Sequence, residues 1–77
     1  MVRAYVLIQT DAGCAAEVTE HVRGAPGVGE VVAVTGPYDV IAQVEAADVG
    51  VLGRTVVDSV QAAPGVVRTL TCPITDL

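Results

Sequence analysis

The chain has 77 residues, enough for one domain spanning 1–77 and too few for two. Domains below about 80 residues seldom hold a core without a metal, disulfides or another chain to help. Hydrophobic residues are 52% of the sequence and charged ones 17%, against a net charge of −5 with only four basic side chains, all arginine. This excludes a disordered tail, and a chain that repels a phosphate backbone is not expected to touch DNA or RNA directly. The apolar runs are strand-length, far short of the ~20 residues of a membrane span.

In chain order, Met1 to Ala4 leads straight into an apolar run from Tyr5 to Gln9. It lacks a cleavage signature, so no signal peptide is expected. The run predicts a first strand. Ala15, Val18, Val22 and Ala25 then recur at three- and four-residue spacing, which predicts a helix ended by Pro26-Gly27. Val31 to Thr35 reads as a second strand. Gly36-Pro37-Tyr38-Asp39 is a tight connection to a third, Val40 to Val44. Leu52, Val56, Val60 and Ala63 mark a second helix, Pro64-Gly65 ends it, and Val67 to Cys72 is the last strand.

An internal repeat organises these elements. Ala25-Pro26-Gly27-Val28 recurs unchanged thirty-eight residues on as Ala63-Pro64-Gly65-Val66. At the same offset Ala4 falls on Ala42, Val6 on Val44, Val18 on Val56 and Val22 on Val60. Thr10 falls on Asp48, and both residue types can cap a helix start. Two strand–helix–strand units give βαββαβ, an α+β, ferredoxin-like fold: a four-stranded antiparallel sheet with both helices on one face.

Strand alternation assigns the two faces. Ala4, Val6, Ala42 and Val44 are expected under the helices with Val32, Val34, Leu70 and Cys72. The open face is then expected to carry Tyr5, Leu7, Val31, Ala33 and Ile41, interspersed with Gln9, Gln43, Thr69 and Thr71. So apolar a surface predicts a dimer in which Tyr5, Leu7, Val31, Ala33 and Ile41 pack against a second copy.

The Ala4-to-Thr10 opening, Pro26-Gly27-Val28, the Val34-to-Val40 hairpin with its Thr-Gly-x-Tyr-Asp pattern, and the Pro64-to-Thr71 close together resemble the effector-sensing (RAM) domain of the Lrp/AsnC family of transcriptional regulators. The similarity covers nearly the whole chain. Family members usually carry a helix-turn-helix domain ahead of the sensor, so the resemblance is to the stand-alone version, whose influence on transcription or amino-acid metabolism is indirect. It implies dimers joined through the sheet, further assembly into octamers of four dimers, an amino acid or related metabolite bound between dimers, and full-length Lrp/AsnC regulators as partners.

An amino-acid effector needs acceptors for its ammonium and donors for its carboxylate. Asp39 offers a carboxylate on a rigid turn, Gly36 allows close backbone approach, Tyr38 adds an apolar wall with a polar tip, and Thr69 and Thr71 present hydroxyls. Each has a plainer reading: Asp39 bonding turn backbone, Gly36 serving turn geometry, the threonines filling a strand, Asp48 capping a helix. His21 lies mid-helix with no partner that suggests catalysis or a metal. Cys14 and Cys72 are far apart and read as small buried apolar groups. That gives no support for zinc, an iron–sulfur cluster or a disulfide framework, and fits a reducing cytoplasm. No catalytic residue, metal ligand or cofactor is expected. Other βαββαβ proteins remain as alternatives: a dimeric α+β-barrel enzyme, which needs an acid–base pocket, or a purely structural assembly domain. An ACT-type sensor fits the hairpin less well, and a heavy-metal domain needs a Cys-x-x-Cys that residues 10–15 lack.

Overall fold

The computed structural model describes residues 1–76. Strand β1 (Val2–Thr10) leads to helix α1 (Ala15–Arg23), then to β2 (Val28–Ala33), β3 (Val40–Ala46), helix α2 (Val49–Thr55) and β4 (Val66–Pro73). All pairings are antiparallel in the order β2-β3-β1-β4. This is the ferredoxin-like arrangement that the repeat predicts, with the amino-terminal strand in the centre and β2 and β4 at the edges. After α2 the helix widens into a π-helical segment, Val56–Gln61. Leu52, Val56 and Val60 in these two stretches, and Ala63 in the turn that follows, stay turned inward.

The core lies between helices and sheet. Ala4, Val6, Ile8, Val18, Val22, Val40, Ala42, Val44 and Val60 are wholly buried. Thr19 joins them because its Oγ1 donates to the Ala15 carbonyl one helical turn back at 2.8 Å.

The repeat extends to the helix exits. Ala25 N–H donates to the Val22 carbonyl and Val28 N–H to Ala25 in the first unit, and Ala63 to Val60 and Val66 to Ala63 repeat the pattern in the second. Both exit glycines have positive φ, +79° at Gly27 and +94° at Gly65. The chain leaves each so tightly that a Cβ at Gly27 would lie 2.6 Å from the Glu45 carbonyl oxygen. The helix starts differ. Asp48 caps α2 by accepting from Val51 N–H at 2.8 Å, whereas Thr10 is still in β1 and α1 begins behind Cys14 with no side-chain cap.

Two strands face opposite to expectation. Val31 pairs with Ala42 and is 3% exposed, so it belongs to the core; Ala33 pairs with Val40 on that same helix-covered side, at the sheet's edge. In β4, Thr71 pairs with Val6 and Thr69 with Ile8, both on the helix-covered side. Val32 and Leu70 turn to the open face, and Cys72, opposite Tyr5, is exposed there rather than buried. The cause is register: the ladder shifts between Val28 and Val31 and again between Gln9 and Thr10, and a one-residue shift exchanges the faces of a strand.

Tyr5, Leu7 and Ile41 lie on the open face as expected. Val32 stands opposite Ile41, Ile41 opposite Leu7, and Leu7 opposite Leu70, so one aliphatic row crosses all four strands. Tyr5 remains 46% exposed, Leu70 48% and Val32 41%, so the row has no cover among the described residues.

Candidate functional site

The β2–β3 connection is held at its base and open at its tip. Asp39 does the holding with three groups. Its N–H donates to the Ile8 carbonyl at 2.9 Å, its carbonyl accepts from Val34 N–H at 2.9 Å, and its Oδ2 accepts from Thr10 N–H at 2.8 Å and from Thr10 Oγ1 at 3.3 Å. The carboxylate thus ties the loop to the end of the central strand rather than to its own turn. At Gly36, with φ +148°, a Cβ would meet no heavy atom within 4 Å beyond its chain neighbours, and the residue is exposed, so the tip is open there. Tyr38 and Asp39 are half-buried beneath it.

Gly36, Tyr38 and Asp39 are therefore gathered in one loop, but Thr69 and Thr71 are not gathered with them. Both threonines sit on edge strand β4, two strands from β3, or about 10 Å at ordinary strand spacing. They face the helix-covered side, where Thr69 Oγ1 accepts from Gln61 Nε2 at 2.9 Å. One protomer does not bring the five residues around one ligand.

At the opposite end of the sheet lies a concavity of about 460 Å³. Arg3, Gln43 and Glu45 line it together with the start of β2, Gly27 to Gly29. Sequence reasoning missed this place. The available signal was Gly27 and Gly29 two residues apart at the start of an edge strand, which leaves backbone without side chains beside the polar end of β3. Among the described residues no group of three or more His, Cys, Asp or Glu side chains is placed to hold a metal ion. No helix among them is long and apolar enough to cross a membrane.

Residues 3–76 match the family model of the Lrp/AsnC ligand binding domain. The chain belongs to that family. A protein of known structure from Thermus thermophilus is 35% identical, with a TM-score of 0.93 over 100% of this chain and 96% of its own. The fold also recurs as part of larger Lrp/AsnC proteins. E. coli AsnC superposes with a TM-score of 0.91 at 17% identity, over 99% of this chain and 52% of AsnC. A transcriptional regulator from Neisseria meningitidis, solved as a complex with L-Met, gives 0.85 at 23% identity over 97% of this chain and 50% of its own. At such identities these two show the shared fold alone. A comparison with curated proteins gave no match. As a member of the Lrp/AsnC ligand-binding family the chain is a regulatory sensing domain, and the Val34-to-Val40 hairpin, one of the four segments that carry the resemblance, holds the loop pinned by Asp39.

Proposed function

We propose that this domain is a small-molecule sensor that works as an oligomer. Two copies pair through the open sheet faces, covering Tyr5, Leu7, Ile41, Val32 and Leu70. Pairs then associate, to as many as four, so that the Gly36–Asp39 loop of one meets edge strand β4 of another and an α-amino acid or related metabolite binds between them. The observation that carries this reading is the hairpin itself: a loop fixed at its base by Asp39, with an exposed glycine tip, in a chain of the Lrp/AsnC ligand-binding family. Fixing the loop in advance removes the ordering cost that a mobile loop would charge against binding. The fold-mate solved with L-Met supports an amino acid as the ligand class.

In this assembly the second Asp39 oxygen and nearby carbonyls accept from the ligand's ammonium, the loop amides meet its carboxylate, Tyr38 walls the site, and Thr69 and Thr71 supply hydroxyls from the neighbouring pair. Their distance from the loop within one protomer supports a site made between subunits. The ligand leaves unchanged, so this is regulation and not catalysis. Influence on transcription passes through full-length Lrp/AsnC regulators, since a net charge of −5 opposes direct contact with nucleic acid. Two free cysteines fit a reducing, cytoplasmic setting.

A thermal-shift series with each of the twenty L-amino acids tests the reading. A true ligand at one hundred times its dissociation constant adds about 2.7 kcal/mol of stability. In Asp39→Asn, which keeps an acceptor for Thr10 but loses the charge, the affinity for that ligand falls about tenfold. If none of the twenty shifts the transition, sensing of amino acids is excluded.

A further inference from the structure

We infer that the concavity beside Arg3, Gln43 and Glu45 is a second small-molecule site, distinct from the hairpin, for a compact dipolar ligand carrying both a carboxylate and an ammonium. Its floor is made by what β2 lacks. Gly27 and Gly29 leave bare backbone next to β3, and the Gly27 carbonyl is already committed to Glu45 N–H at 2.8 Å, which keeps that floor fixed. On the walls stand one cation, one anion and one neutral amide. Arg3 and Glu45 are directly opposed across β1 and β3, with Gln43 one step along the same face.

The plain reading of an opposed arginine and glutamate is a cross-strand ion pair that satisfies itself. The geometry differs: among the described residues the ion pair found is Arg23–Glu20 on α1, and the heads of Arg3 and Glu45 lie farther apart than ion-pair distance. Among the described residues neither head has an ion-pair partner, so the guanidinium can take a carboxylate in its bidentate fork and the glutamate can accept from an ammonium, with the Gln43 amide between. A volume near 460 Å³ holds a ligand of amino-acid size with room for a side chain. The site is on the open face, so pairing of two sheets, proposed above, turns an open notch into a covered one and strengthens both charged contacts by excluding water. Occupancy here and assembly through the sheet are then linked, whereas the hairpin is linked to contacts between pairs.

Isothermal titration of the intact oligomer with each of the twenty L-amino acids, repeated on variants, tests this assignment. Gly29→Val fills the notch from its floor. Its backbone is outside the positive-φ region, and the nearest atom to the new Cβ is the Gln43 carbonyl oxygen at 3.6 Å, so the fold tolerates it, as circular dichroism will confirm. Arg3→Gln removes the carboxylate fork from an exposed position without touching the core. The expected result is a binding event weakened about tenfold or more by either variant and left intact by Tyr38→Ala at the hairpin. Binding that survives Gly29→Val and Arg3→Gln but disappears in Tyr38→Ala overturns the second site and leaves the hairpin reading standing. No binding by any of the twenty overturns both.

Discussion

The two faces of the sheet are made from alternate residues of the same four strands, yet only one of them is finished. On the helix side Val6, Ile8, Val40, Ala42 and Val44 are wholly buried under Val18, Val22, Leu52, Val56 and Val60. On the other side the row Val32–Ile41–Leu7–Leu70 crosses the sheet, and no layer of the described residues covers it. A core of this kind holds the monomer fold, while a bare apolar row is a surface awaiting a second copy. The difference separates the residues that decide whether the chain folds from those that decide whether it assembles.

Adjacent residues of β2 break this comparison most sharply if it is wrong. Val31→Asp puts an unpaired charge into the core and should unfold the chain outright, a loss of about 3–5 kcal/mol. Val32→Asp, one residue on, should leave the circular dichroism spectrum native and abolish only the dependence of stability on protein concentration. Next in size, Ile8→Ala should cost about 2–5 kcal/mol in denaturant unfolding at every protein concentration. Asp39→Ala removes the acceptor that ties the hairpin to Thr10, and a loss of about 1.5–3 kcal/mol is expected. Asp39→Asn should recover most of that stability without recovering ligand response. Smallest of all, Glu20→Gln breaks an ion pair with Arg23 between exposed side chains on α1, and stability should change by less than about 0.5 kcal/mol.

The fold was legible because local signals and the repeat agree. Pro26-Gly27 and Pro64-Gly65 stop both helices in the same hydrogen-bonded turn, and β1 and β3 alternate cleanly. The facing of β2 and β4 was not legible. From Val31 in β2 to Val34 just past it the run is apolar at every position, so alternation has no sign to read, and the register shift after Val28 decides the face. In β4 polarity pointed the wrong way. Leu70 looked like an inward residue and Thr69 and Thr71 like outward ones, but the outward face here is itself apolar, and Thr69 is satisfied by Gln61 on the helix side. Polarity sorts strand faces only when the exposed face meets water.

The hairpin was legible as a motif, but not in its mechanics. Sequence placed Asp39 in a turn, and its bond to Thr10 N–H lies twenty-nine residues back along the chain, a contact that only the β1–β3 register creates. The notch at the other end was invisible for a related reason. Arg3, Gly29 and Glu45 belong to three strands, and nothing in their spacing announces that the sheet order β2-β3-β1 brings them side by side.

Sedimentation velocity at micromolar concentration, on the unaltered chain and on Leu7→Asp, bears most directly on the unfinished face. The unaltered chain should sediment as a dimer or a larger even assembly, and Leu7→Asp as a folded single subunit. An unaltered chain that is well folded and sediments as one subunit would mean that the aliphatic row needs no cover, and assembly-linked sensing would fall with it.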